Sequence, residues 1–242
     1  MVRNFFLLSE VRSGSTYAAE LIAYNFGDQH GSEWWGLAHE PFQQLTEEAT
    51  GADLRAALGA IAVTPGGVRP AMIKCAHLET IDVIVDRDPD LRDEFFGPRG
   101  HWLVLRRGDL LAQAVSLHCA LCSGSFHDYA AVPSCTPCRG TIPEVLDALS
   151  MISRSEEVLR NCEAKVANCL GWRYEDIIGN EAGFLESCHR YLYGTGSGFA
   201  DRPLSGAKLV RAHSQEKTQL RKALADWLAT RDAATPGAVP SS

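Results

Sequence analysis

The segment Asn4-Phe5-Phe6-Leu7-Leu8-Ser9-Glu10-Val11-Arg12-Ser13-Gly14-Ser15-Thr16 is an apolar run that stops in a small, hydroxylated, glycine-containing turn with one arginine. The helix-compatible stretch Tyr17–Tyr24 follows directly. A buried strand, a tight turn and a helix start bring unpaired backbone N–H groups and the positive end of the helix dipole to one point, which is an anion cradle suited to phosphate. A nucleoside triphosphatase would carry a lysine and a Ser/Thr just after the last glycine of the turn, for the β/γ-phosphates and magnesium. Here no lysine follows Gly14, and Arg12 precedes it. An arginine so placed suits a planar, two-pronged hold on a terminal oxyanion.

A second segment repeats the arrangement. His101–Leu105 is a strand-like apolar run, Arg106 and Arg107 end it, and Asp109 stands where it can cap the helix that carries Leu110, Ala114 and Leu117 on one face. Arg106, Arg107 and Ser116 are the polar groups left near that helix start or along its side. Two arginines at a strand's carboxyl end can hold a second anion.

Together the motifs R-S-G-S-T and R-R-x-D-x-x-x-Q-A-V-S-L resemble those of the sulfotransferases that use 3′-phosphoadenosine-5′-phosphosulfate (PAPS), with the bacterial trehalose-sulfotransferase-like branch the nearest. The resemblance implies a P-loop-like three-layer α/β fold. It also implies that Arg12, Ser13, Gly14, Ser15 and Thr16 grip the 5′-phosphosulfate, while an arginine and Ser116 grip the ribose 3′-phosphate. Arg106 and Arg107 are both candidates for that arginine, with Arg107 favoured. Glu40-Pro41-Phe42 is similar to the family's acidic-proline segment and Trp172–Asp176 to its late Y-E-D strand end. Taken from the residues alone, Asp176 reads as a helix N-cap.

Sulfuryl transfer needs in-line positioning, a base for the acceptor hydroxyl, and positive groups on the sulfonate and on the leaving phosphate. Arg12 and the turn serve the last need. By the resemblance Glu40 is the first candidate for the base, with His39 its neighbour and His77 a competitor whose ordinary pKa suits proton transfer near neutrality. Ile73-Lys74-Cys75-Ala76-His77 ends another candidate strand and is similar, one residue out of step, to the lysine–histidine signature of the cytosolic sulfotransferases. Lys74 is thereby a candidate for neutralising the bridging oxygen.

Cys119, Cys122, Cys135 and Cys138 are spaced as C-x2-C, twelve residues, C-x2-C, the arithmetic of a four-thiolate zinc site. Such a zinc would be structural and would pin a loop. Redox-active pairs, disulfides or plain buried thiols are the other readings, and an intracellular location disfavours stable disulfides.

The elements that must position these groups are strands at Phe5–Ser9, Ala71–Cys75, Trp102–Leu105 and Gly171–Tyr174. Between them lie helices near Thr16–Phe26, Asp53–Ala62, Asp109–Leu121, Pro143–Asn168, Glu181–Tyr193 and Ser214–Thr230. That alternation argues for a mostly parallel sheet covered on both faces, with ligands outside the strands' carboxyl ends. One domain over 1–232 is expected, with a flexible loop at Gly194–Gly198 and a loose tail from Ala233 to Ser242. The apolar run at the amino terminus is too short for a signal segment and no stretch is of membrane-spanning length, so a cytoplasmic protein without membrane contact is expected. With 23 Lys and Arg against 30 Asp and Glu, the formal charge of -7 speaks against broad nucleic-acid binding and requires positive potential to be local. The resulting reading is an enzyme acting on a small-molecule or carbohydrate hydroxyl. The alternatives are a divergent P-loop kinase or hydrolase, and a nucleotide-binding module without turnover.

Overall fold

The computed structural model describes residues 2–26, 40–64, 66–124, 141–194 and 215–234. In chain order the elements are β1 (Arg3–Ser9), α1 (Ser15–Phe26), α2 (Glu40–Gln43), α3 (Gly51–Gly59), β2 (Val68–Lys74), α4 (Cys75–Arg87) and α5 (Pro89–Phe95). They continue with β3 (Gly100–Arg106), α6 (Leu110–Ser123), α7 (Ile142–Lys165), β4 (Cys169–Arg173), α8 (Tyr174–Ile177), α9 (Glu181–Tyr193) and α10 (Gln215–Ala234). The chain divides into two compact units, 1–108 with 153–209, and 109–152 with 210–242.

The first unit holds the sheet, four parallel strands in the order β2-β1-β3-β4. Each central strand is apolar at consecutive positions, and the pleat sends neighbours to opposite faces. Phe6 and Leu8 of β1, Ala71 and Ile73 of β2, and Trp102 and Val104 of β3 join one core with residues of α3, α4, α5 and the end of α7. Phe5 and Leu7, Met72, and Leu103 and Leu105 join the other with α1 and α9. Two buried faces make a three-layer α/β fold, the class expected from the alternation of elements. Among the described residues no helix is long and apolar enough to cross a membrane.

The chain passes from β1 outward to β2, then crosses back over β1 to reach β3 on its other side. The strand order therefore reverses between β1 and β3, and the crevice beyond their carboxyl ends is where open α/β sheets bind ligands. The register aligns those ends: Ser9 pairs with Lys74 on one side and with Leu105 on the other.

The structure departs from the sequence reading at several segments, the unexpected short helix α2 among them. Cys75, expected to finish a strand, instead begins α4, and neither α4 nor α5 was expected. Thr80, Ile81, Val83, Ile84 and Val85 favour strand by local propensity, but Cys75, Leu78, Ile81 and Val85 are buried at helical spacing against the sheet, and that packing prevails. Another departure concerns Asp176. Arg173, not Asp176, is the N-cap residue of α8, because the chain turns at once after β4. α10 runs to Ala234, two residues into the expected tail; residues 195–198 of the expected loop and 235–242 of the tail lie outside the described residues.

In the second unit, Asp109 caps α6 as expected, accepting the Ala112 N–H at 2.9 Å, and Arg221 of α10 pairs with the same carboxylate at 2.6 Å. Gly124 ends α6 in the left-handed conformation.

Among the described residues Trp102 is the largest fully buried side chain. Its ring packs 4.7 Å from Phe6 and 5.7 Å from Phe96, and its indole N–H donates to the Phe95 carbonyl at 2.6 Å. Trp102→Ala should cost about 3–5 kcal/mol in urea unfolding. Trp102→Phe, which keeps a ring but orphans the Phe95 carbonyl, should cost about 1–3 kcal/mol.

Candidate functional site: a basic cradle at the strand ends

The turn after β1 is held by its own polar groups. The Glu10 carboxylate accepts the Val11 N–H at 2.8 Å and the Ser13 hydroxyl donates to the Glu10 carbonyl at 2.6 Å. Arg12 and Gly14 both have left-handed backbone, φ 60° and 86°. Alternating handedness of this kind bends consecutive N–H groups toward a common centre and forms an anion-binding concavity. Left-handed backbone at a non-glycine residue costs on the order of 1 kcal/mol, and the Ser13 hydrogen bond helps to hold it. α1 starts at Ser15 with no acidic residue in its first turn, so its positive end is not neutralised there. Ser13 and Ser15 are buried in the turn and Thr16 is half-buried in the first turn of the helix.

Lys74 reaches this turn from the neighbouring strand. Its ammonium donates to the Ser15 hydroxyl at 2.7 Å and to the Ser9 hydroxyl at 3.1 Å. Burial pulls its pKa down to about 8, while the Glu10 carboxylate and Cys75 act the other way. The Cys75 thiol beside them is pushed well above the ordinary cysteine value, by burial first and then by Glu10, so it stays protonated. A lysine does stand at the turn after β1, then, supplied by another strand rather than by the turn's own sequence.

The two arginines at the end of β3 have different surroundings. Arg106 is taken by two carboxylates of α7, with Nη1 2.8 Å from Glu163 and Nε 3.3 Å from Glu156. Burial raises the pKa of Glu156, against the pull of Arg106. Arg107 instead turns toward β1, where its Nη1 donates to the Arg12 carbonyl at 3.0 Å across the switch point. Glu175 lies 3.7 Å from its Nε and also accepts the Gly108 N–H at 2.8 Å. The Arg107 guanidinium stands over the Tyr174 ring, 5.4 Å from its centroid. That ring rests against Gly14, where an added Cβ would run into it, and meets Tyr17 edge-on at 6.3 Å. Tyr17 in turn donates to Glu181 at 2.9 Å, and burial together with that bond keeps its phenol protonated.

Comparison with known proteins finds no family model and no curated protein that matches this chain.

Of the other expected site residues, Glu40 is the first residue of α2. His39, Cys135 and Cys138 lie outside the described residues. His77 is half-buried in the first turn of α4, on the helix that begins where Lys74 ends β2. Ser116 lies half-buried on α6 in the second unit. Cys119 and Cys122 sit one turn apart on the same helix, the first buried and the second exposed, with the Cys122 sulfur 3.4 Å from Nε2 of His118. Among the described residues no group of three or more His, Cys, Asp or Glu is arranged to hold a metal. Sequence reasoning passed over Ser9 and Glu10, and it left Tyr174 and Glu175 without a role at the turn. The signals available for the last two were the resemblance of Trp172–Asp176 to a Y-E-D strand end and their place directly after a strand, as with the two arginine-bearing turns.

Because only the protonated amine attracts an anion, the affinity of the turn for inorganic pyrophosphate, taken relative to Lys74→Arg so that the ligand's own protonation cancels, should be steady below pH 8 and fall as the pH rises through about 8, where free Lys74 loses its proton. Lys74→Arg should hold its affinity to higher pH. Lys74→Met should bind ~10- to 100-fold more weakly at pH 7, the loss of one charge-assisted hydrogen bond. Isothermal titration calorimetry across pH 6.5–9.5 checks all three (a range of about three units around the transition).

Proposed function

We propose that the protein is a PAPS-dependent sulfotransferase that moves a sulfuryl group to a hydroxyl of a small-molecule or carbohydrate acceptor. The observation that carries this reading is the hydrogen bond from Arg107 to the Arg12 carbonyl: it joins two arginine-bearing turns across the strand-order reversal, with Lys74 arriving at the same turn. A dianionic donor suits such a place. Its chemistry requires several positive groups around one oxyanion, and the left-handed turn, the start of α1, Arg12 and Lys74 make that donor set.

In this reading residues Arg12–Thr16 hold the 5′-phosphosulfate, and Lys74 is placed to neutralise charge on the phosphate oxygen as the S–O bond breaks. Its two serine partners, Ser9 and Ser15, keep it at the turn while the site is being filled. Arg107 is the better of the two arginines for the 3′-phosphate, because Arg106 is already matched by Glu156 and Glu163. Ser116 enters through the motif resemblance alone. The acceptor oxygen attacks sulfur, the leaving phosphate departs in line, and the hydroxyl proton passes to a base, for which Glu40 is the candidate and His77 its competitor. PAPS supplies the activated sulfuryl group, and adenosine 3′,5′-bisphosphate is the product that stays behind.

One observation favours a second reading. A lysine touching a hydroxyl of the phosphate turn is also what a nucleotide kinase or hydrolase requires, even though Lys74 comes from another strand. Thermal unfolding separates the two. A selective ligand at 100 times its dissociation constant stabilises by ~2.7 kcal/mol, about 5–10 °C for a chain of this size. Adenosine 3′,5′-bisphosphate should raise the melting temperature more than ATP with magnesium does; the reverse order supports the kinase or hydrolase. Glu40→Gln should keep the bisphosphate-induced shift and lower sulfuryl transfer by ~10²- to 10⁴-fold. Transfer at the wild-type rate would assign the base elsewhere.

A further inference from the structure

Tyr174 lies at the centre of contacts that the reading above does not use. Its ring fills the space above Gly14, so the turn's left-handed residue has a wall on that side. The guanidinium of Arg107 stands over the same ring, and Glu175, the next residue, faces the Nε of Arg107 while fixing the backbone at Gly108. Tyr17, from the first helix, closes against the ring edge-on. One dipeptide at the end of β4 thus touches both halves of the basic cradle: the turn after β1 through the ring, and the end of β3 through ring and carboxylate.

We infer that Tyr174 is a positioning residue of the anion site, its ring setting how far the Arg107 guanidinium stands from the Arg12–Gly14 turn, with Glu175 holding the guanidinium's edge. The physical basis is directional. An arginine side chain has many rotamers; a guanidinium stacked on a ring and hydrogen-bonded to a carbonyl is held in one orientation. The aromatic face performs this service without neutralising the charge, as a second carboxylate would. Arg106 is the contrast within the same strand end, since its two carboxylates pin it and cancel its charge together. The inference rests on the anion-binding reading of the turn, but it does not depend on which phosphorylated compound is bound.

Inorganic pyrophosphate and adenosine 3′,5′-bisphosphate serve as probes, read by calorimetry alongside the melting temperature of each ligand-free variant. Tyr174→Phe, which keeps the ring, should bind both within about twofold of wild type. Tyr174→Leu should bind both ~10-fold more weakly, the range expected when a partly desolvated cation–ring contact is removed. Tyr174→Leu with wild-type affinity would overturn the inference, as would Tyr174→Phe weakened as much as Tyr174→Leu.

Tyr174→His gives an independent test and decides the matter if Tyr174→Leu does not fold. Its imidazole keeps a flat face when neutral at pH 8 but repels the guanidinium when protonated at pH 5.5 (an ordinary histidine titrates near 6.5). Going from pH 8 to 5.5, it should lose at least ~5-fold more affinity for pyrophosphate than wild type does. An equal loss in the two proteins would overturn the inference, since a merely structural ring has no reason to couple to proton uptake in this way. Wild-type protein that binds pyrophosphate but not the bisphosphate would sink the sulfotransferase reading while leaving the role of Tyr174 to be decided by the pyrophosphate data.

Discussion

The cradle exists because three parallel strands stop at the same level. Ser9 of β1 is in register with Lys74 of β2 and with Leu105 of β3, so the chain leaves each strand within reach of its neighbours. Were one strand to slip by two residues, its basic group would move by roughly 6–7 Å along the sheet and lose the turn. The register in turn is enforced by burial. Both faces of β1 and β3 are apolar, and a slip of even one residue would exchange the two cores.

That constraint explains how a chain with net negative charge builds a positive site. The basic groups are local, two of them fixed by neutral partners: hydroxyls for Lys74, and a carbonyl and a ring for Arg107, which Glu175 approaches at one edge. Neutral partners orient a charge while leaving it available to a ligand. The cost falls on the protein, because burial of the ammonium outweighs the attraction of the Glu10 carboxylate, and the lowered pKa of Lys74 is the form that penalty takes. A bound anion would relieve it, so the site gains affinity from a group that the unliganded fold holds at a disadvantage. Arg106 shows the alternative use of the same residue type: matched by carboxylates, it ties α7 to the sheet.

Most of the framework was legible in the sequence. All four strands and six of the helices lie where apolar runs and their periodicity predicted them, within a few residues, because burial on one or two faces leaves a direct imprint on residue order. α4 was not legible: its β-branched residues point locally to strand, and only the sheet face they cover makes the helical stripe meaningful. The turn at Arg12–Thr16 was also legible, since glycine and hydroxylated residues between a strand and a helix leave few backbone solutions.

The division of labour follows from what is local. Sequence alone determined the α/β class, the glycine- and hydroxyl-bearing turn after the first strand and the pair of arginines after the third, because each depends on neighbours along the chain. The choice between Arg107 and Arg106 at the turn was decided by tertiary structure, and so were the source of the lysine at Ser15 and the packing of Tyr174 on Gly14. Those contacts join residues 59 to 160 positions apart (differences 74−15, 107−12 and 174−14), and nothing in a linear pattern encodes which strand ends become neighbours. Strand order and register supply that information, and both arise from packing two apolar faces at once rather than from any single segment.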